Sequence, residues 1–572
     1  MPARGNRFAQ AKILGVHHHV FASPANVARH LPELAASAPG FDAIRIVRDD
    51  GVASVTLSSV ELNREADAWA WRLHHAGVRR GDRVLVLVRP GLPLIAAVFA
   101  LFKTGAVPVV IDPGMGRASF LECVRRTAPQ FLLGIARAHV LSWLFPGVFR
   151  SVRKRILVSG SMTSRLATGD VAPFSIAPTC ERDLAAILFT SGSTGAPKGV
   201  RADHGMLEAQ VRLVRETFGV APGEVDMPLL PIFALFNPAL GMTTVVPRLD
   251  PTRPATLDAA HIVRTVIANR VTNSFGAPVL WAKVAEHCNA NSITLPSLRR
   301  VLMAGAPVSP AVFAAMRRAC PNAELHSPYG ATEVLPVATI ESTEVLGTGG
   351  TPGTAAATLT GRGTCVGRPV PGVDVRVIEI ADGPIADIAS THELARGEIG
   401  EIIVRGPVAS RGYDRLPDAD ASAKIPDGTD TWHRMGDVGD LDDSGRLWFC
   451  GRKAERVVTS SGTLFTDCVE PVYNVHPAVH RTALLGFGRQ GSQRPALAVE
   501  TKPDARPRDS SARRALAREL RQLAAANPGS PDIRLFYFVE KFPVDVRHNA
   551  KIHRLRLARD LATTPGIELD KR

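Results

Sequence analysis

Cysteine is scarce: seven in 572 residues, at Cys123, Cys180, Cys288, Cys320, Cys365, Cys450 and Cys468. They are scattered, odd in number and form no Cys-x-x-Cys pair, which argues against a disulfide framework and a structural zinc site. A reducing cytoplasm is the expected setting. No apolar run approaches the roughly 18 residues of a membrane span. The basic N-terminus is not followed by an apolar core of the kind that directs export. His17, His18 and His19 are adjacent, and three neighbours cannot all face one ion on a regular element, so no metal site is read there.

Positive charge is abundant, with a formal net charge of +14. From residue 453 to the end there are 21 basic and 13 acidic residues, so more than half of the excess sits in the last fifth of the chain. Much of it falls in 506–521, an amphipathic helix by period, with Leu516, Leu520 and Leu523 on the apolar side. No recognisable nucleic-acid module accompanies this charge, so no nucleic-acid partner is expected. A solvated helix face or a weak attraction to anionic lipid accounts for it.

Length and a 45% hydrophobic content predict two or three domains. Short β-branched runs at 84–88 and 106–111 alternate with helical patterns at 62–76 and 93–103. Strand, helix, strand in such succession predicts parallel βαβ units and an α/β sheet covered on both faces. Residues 343–364, rich in Gly, Thr, Ala and Pro, read as a mobile surface loop. Strand character resumes at 366–377 and 397–406, predicting a smaller β-rich subdomain.

The most informative stretch is 190–200, Thr-Ser-Gly-Ser-Thr-Gly-Ala-Pro-Lys-Gly-Val, which follows an apolar strand pattern at 184–189. Gly192, Gly195 and Gly199 free the backbone so that several N–H groups can converge on an anion, while Thr190, Ser191, Ser193, Thr194 and Lys198 add donors and charge. Polyphosphate is the ligand this composition suits. A Walker A loop would need Gly directly before Lys-Ser/Thr, whereas Pro197 precedes Lys198 and Gly199 follows it.

This loop closely resembles the phosphate loop of the adenylate-forming superfamily, which includes acyl-CoA synthetases, peptide-synthetase adenylation domains and luciferases. Further motifs follow in that family's order: Tyr329-Gly330-Ala331-Thr332-Glu333, Gly397-Glu398-Ile399-Gly400-Glu401, residues 432–437, Gly451-Arg452, and Lys551. The resemblance covers nearly everything from about Asp42 onward. It implies ATP and Mg²⁺ as cofactors, a large domain at 1–452 and a mobile lid at 453–572 of α+β type.

By the same resemblance, Gly305, Ala306 and Pro307 lie along adenine beside Ser327, Tyr329 and Gly330. Tyr329 offers a flat face for stacking. Thr332 adds a hydroxyl, and Glu333 is the expected Mg²⁺ ligand, since that ion takes few carboxylates and completes its shell with phosphate and water. Asp437 suits the ribose hydroxyls, Arg452 a ribose or phosphate contact, and Lys551 the bridge between carboxylate and α-phosphate.

Phe233, Phe236 and Asn237 fall where relatives line the acyl pocket. Many acyl-CoA synthetases carry Pro-Leu-Phe-His where this chain has Pro231-Ile232-Phe233-Ala234, and the hinge, often Asp or Lys, is Ala454. The segments 233–241 and 547–552 are similar to those of olefin β-lactone synthetases of bacterial long-chain alkene biosynthesis. That implies activation of a long-chain 2-alkyl-3-hydroxy acid as acyl-AMP and closure by its own hydroxyl. His548 is a candidate base, with a plain loop histidine as the competing reading. A β-lactone decarboxylase and an NADPH-dependent reductase would be neighbours. A medium- or long-chain acyl-CoA ligase and a non-catalytic nucleotide-binding module are the alternatives.

Overall fold

A computed structural model describes residues 25–158, 171–189, 197–250, 256–527, 530–544 and 551–570. Strands and helices alternate through the first half as the apolar periodicity predicts. Helix Ser59–His75 begins at a capping box, in which Ser58 Oγ accepts from Glu61 N–H and the Glu61 carboxylate accepts from Ser58 N–H. Such a box satisfies two otherwise orphaned donors and is worth about 1 kcal/mol. Helix Leu92–Thr104 is apolar on nearly all sides because it lies buried between that helix and a sheet. Its one cation, Lys103, is buried and pairs with Asp67 at 2.5 Å.

Two large sheets carry the chain up to residue 452. The first runs Lys154–Leu157, Phe131–Gly134, Arg83–Leu87, Val107–Ile111, Leu184–Phe189, Gly199–Asp203 in spatial order. All neighbours are parallel except the last pair, which is antiparallel. Residues 190–198 therefore connect two adjacent antiparallel strands. Gly199 is dictated by packing: a Cβ there would lie 2.7 Å from the Phe189 ring.

The second sheet has a parallel centre containing Thr243–Val246, Asn273–Gly276, Arg300–Met303 and Glu324–Ala331. At the end of Glu324–Ala331 the chain turns back into Val334–Glu341, so Thr332 and Glu333 occupy a hairpin turn at the carboxyl edge of the parallel strands. This is the edge at which open α/β sheets place ligands. The β-rich portion, Thr364–Pro369, Leu447–Arg452, Asp430–Leu441, Gly400–Arg405 and Asp374–Ile378, extends this same sheet rather than forming a separate one.

One expectation is corrected. Residues 343–364 are not a featureless loop: they hold helix Ser342–Leu346, a two-residue hairpin of Gly347–Thr348 with Thr351–Pro352, and helix Thr354–Leu359. Val345 is buried, and Leu346, Ala355 and Ala357 pack on the same core. The small residues that read as loop permit close packing here.

After Arg452, a short 3₁₀ turn Lys453–Glu455 leads into an α+β unit. Its four strands are Val479–Phe487, Arg494–Thr501, Leu535–Val539 and Ile567–Glu568. Helices Thr466–Asn474 and Ser510–Ala525 cover a core of Leu484, Leu497, Val499, Leu516, Leu520 and Phe536. Among the described residues no helix is long and apolar enough to cross a membrane.

Candidate active site

Two cavities share Pro328 in their linings. One, of about 350 Å³, is bounded by Gly305, Ala306, Pro307, Ser327, Tyr329, Gly330, Asp437 and Arg452 on one side and by Glu470, Lys551 and Arg554 on the other. Nine residues singled out from sequence motifs up to 246 positions apart thus share one cleft (305, 306, 307, 327, 329, 330, 437, 452 and 551). Gly330 is required for its shape, since a Cβ would fall 2.7 Å from the Val334 carbonyl oxygen.

The polar centre of this cleft is built across a strand pair. Asp437 and Arg452 are register partners on Asp430–Leu441 and Leu447–Arg452, so their side chains leave the sheet on the same face. Arg452 Nη1 lies 2.7 Å from Asp437 Oδ1. Tyr329 Oη donates to Asp437 Oδ2 at 2.6 Å. Burial raises the Asp437 carboxyl above the usual carboxylate range, opposed first by the Arg452 charge, then by the Tyr329 hydrogen bond and by Lys551. Burial, reinforced by the Asp437 charge, pushes the Tyr329 hydroxyl far up, so it stays a donor. Asp437 Oδ1 is buried and has the Arg452 guanidinium as its one close partner among the described residues. A buried carboxylate with acceptor capacity to spare, flanked by two cations, fits a ligand that brings hydroxyls and phosphate.

Glu333 stands beside this centre, close enough for its charge to act on Arg452. Its Oε1 accepts from Tyr413 Oη at 2.8 Å, and Lys198 Nζ sits 4.9 Å from the Tyr413 ring centroid. Behind them is buried Lys424, whose ammonium donates to the Ser410 carbonyl and whose pKa is lowered to about 8 by burial. Burial together with the Lys424 and Lys198 charges holds His433 neutral. Among the described residues no group of three or more His, Cys, Asp or Glu side chains could hold a metal alone. A lone carboxylate with a second oxygen to spare fits Mg²⁺ that takes its remaining ligands from phosphate and water.

The second cavity, about 410 Å³, is apolar and runs between helix His204–Phe218 and the parallel strands. Phe233 and Phe236 line it, and Phe233 stacks on Phe275 with centroids 3.7 Å apart. Asn237 also lines it, but its amide is committed: Nδ2 donates to Asp226 Oδ2 and Thr244 Oγ1, each at 2.9 Å. Burial pushes the Asp226 carboxyl up to about 7. Thr332 faces this apolar cavity rather than the polar one.

Thr190, Ser191, Gly192, Ser193, Thr194, Gly195 and His548 lie outside the described residues. The sequence reading missed Tyr413 and Lys424, which stand in a stretch with no period and no spacing signature, and gave no role to His433 although it lies within the 432–437 motif. It also missed the ionic frame around the junction. Glu401, from the Gly-Glu-Ile-Gly-Glu motif, holds Arg434 at 2.7 Å and Lys453 at 2.8 Å. On the other side Arg554 binds Glu470 at 2.7 Å and Glu455 at 2.8 Å.

Residues 33–414 match the profile of the AMP-binding enzyme family, and the chain belongs to that family. It is 44% identical over 568 residues to the olefin β-lactone synthetase of Stenotrophomonas maltophilia (strain K279a), covering 96% of this chain and 99% of that one. It is 43% identical over 551 residues to the olefin β-lactone synthetase of Xanthomonas campestris pv. campestris, covering 93% and 97%. ATP-bound MatB from Rhodopseudomonas palustris shares the fold, with a TM-score of 0.75 at 20% identity over 94% of this chain and 99% of that one.

Proposed function

We propose that this chain is an AMP-forming β-lactone synthetase acting on long-chain 2-alkyl-3-hydroxy fatty acids. The observation that carries the reading is near full-length identity of 44% to a protein of that name. The apolar cavity, which shares Pro328 in its lining with the Asp437–Arg452–Lys551 cleft, agrees with it.

A carboxylate is unreactive toward acyl transfer because oxide would have to leave. In the proposed first step a carboxylate oxygen attacks the α-phosphorus of ATP, the bond to the β-phosphate bridge breaks, and pyrophosphate departs. Asp437 accepts from the ribose hydroxyls, Tyr329 and residues 305–307 flank the base, and Lys551 and Arg452 balance charge on the phosphoryl oxygens. Mg²⁺, held through Glu333, neutralises the polyphosphate when bound. In the second step the substrate's 3-hydroxyl oxygen attacks the activated carbonyl, the C–O bond to AMP breaks, and the hydroxyl proton passes to a base. His548 is our candidate for that base. An intramolecular nucleophile held against the carbonyl has a high effective concentration, which offsets the strain of a four-membered ring.

We take Lys453–Glu455 as the junction about which the 453–572 unit moves over the 1–452 unit. A cytoplasmic setting, with a β-lactone decarboxylase and an NADPH-dependent reductase as neighbours, is part of the same proposal. Incubation with MgATP and a 2-alkyl-3-hydroxy acid, with and without CoA, tests it. Lactone and AMP without CoA support the reading; a thioester formed only with CoA would make the chain an acyl-CoA ligase instead.

A further inference from the structure

Ten large hydrophobic side chains stay exposed among the described residues, and four of them lie in one stretch: Val140 (50%), Trp143 (64%), Leu144 (68%) and Leu157 (44%). The first three occupy positions i, i+3 and i+4 of helix Ala136–Leu144 and therefore share a face. The opposite face holds the helix in place: Ala138 is buried, His139 Nε2 lies 3.0 Å from the Gly134 carbonyl oxygen, and Ser142 Oγ accepts from Arg155 Nε at 2.8 Å. Arg155 belongs to Lys154–Leu157, the edge strand of the first sheet. The apolar face is thus fixed at a rim of the molecule, and no described residue between 112 and 186 lines either cavity.

Charge along this stretch of chain is of one sign. No Asp or Glu occurs between Glu122 and Asp170, while Arg137, Arg150, Arg153, Lys154 and Arg155 all fall between 136 and 157. Arg137, Arg150, Arg153 and Lys154 are exposed, and no described carboxylate pairs with them. A tryptophan and leucine face on a short helix, flanked by cations and free of acids, matches the headgroup region of an anionic bilayer, where the indole sits at the interface and phosphates meet the guanidinium groups. We propose that this rim docks the protein on an anionic lipid surface. The basic helix Ser510–Ala525 does not serve this purpose: Leu516 and Leu520 are spent in its own core, and Arg521 is paired with Asp532 at 2.6 Å.

Flotation of the intact protein with vesicles of phosphatidylcholine alone, or mixed with phosphatidylglycerol, tests the assignment. The protein should float only with phosphatidylglycerol present and come off in high salt. Arg153→Gln with Lys154→Gln should weaken binding roughly 25-fold, at about fivefold per charge. Trp143→Ser with Leu144→Ser should weaken it by at least about tenfold. Arg513→Gln with Arg518→Gln, on the C-terminal helix, should leave it unchanged. Equal binding to neutral vesicles, no binding to either, or loss only in the 513/518 variant would overturn the proposal. So would a concentration-dependent dimer that the 143/144 variant abolishes while vesicle binding persists, since the rim would then be a protein interface.

Discussion

Asp437 shows why motif residues must be read by their surroundings. Its burial would favour a neutral carboxyl, yet Arg452, Tyr329 and Lys551 together oppose that shift. Lys551 touches the same charge balance that a nucleotide phosphate would enter. Lys551→Ala is expected to lower the pyrophosphate-exchange rate by roughly 10²–10³-fold while ATP affinity changes only a few-fold; an unimpaired exchange rate would remove Lys551 from the chemistry. Glu65 makes a separate point about stability. Both its oxygens are buried with no ion-pair partner among the described residues, and burial, opposed only by the Trp69 indole N–H, pushes its pKa from 4.5 up to about 7. The folded protein therefore keeps this proton after the unfolded chain has released it. The associated stability is full below about pH 4.5 and is lost as pH rises toward about 7. Glu65→Gln should gain stability relative to the parent across that window and show no further gain above it, measured as urea midpoints. Parallel pH profiles for the two proteins would contradict the assignment. Nothing in the sequence marks Glu65: it occupies an ordinary helical position, and only its environment is unusual.

Regular elements were the most legible part of the sequence. The apolar runs at 184–189 and 93–103 coincide with strand Leu184–Phe189 and helix Leu92–Thr104, the helix being bounded by Gly91 and Gly105. The segment Ser342–Leu359 was not legible, since alanine, threonine and glycine pack without an apolar period. Nor was the fusion of the β-rich portion with the second sheet, which depends on pairing across long loops. The frame about Arg554 belongs to this scale. Arg554 sits three residues beyond Lys551 and ties that segment to Glu470 on helix Thr466–Asn474 and to Glu455 at the junction. Arg554→Met leaves two buried carboxylates unpaired, and the loss should be about 3–5 kcal/mol. Its kcat for adenylation should fall while the KM for ATP stays near the parent value, and Arg554→Lys should restore only part, lacking the two-pronged contact. A kcat equal to that of the parent would show that Arg554 does not position Lys551.

At the scale of the whole molecule, two cavities of different character share one proline in their linings, and residues from distant parts of the chain line the polar one. The order of motifs anticipated that convergence, and the belonging to the AMP-binding family agrees with it. The path of the apolar cavity was only half visible. Phe233 and Phe236 were expected in it, whereas the commitment of Asn237 to Asp226 follows from strand neighbours that no local pattern reveals. The central claim is that the substrate carboxylate, not its hydroxyl, is the group activated by ATP. Incubation with acid labelled with oxygen-18 in the carboxyl group decides this. The account predicts AMP carrying one labelled oxygen and a β-lactone retaining the other; unlabelled AMP beside a fully labelled lactone would contradict it.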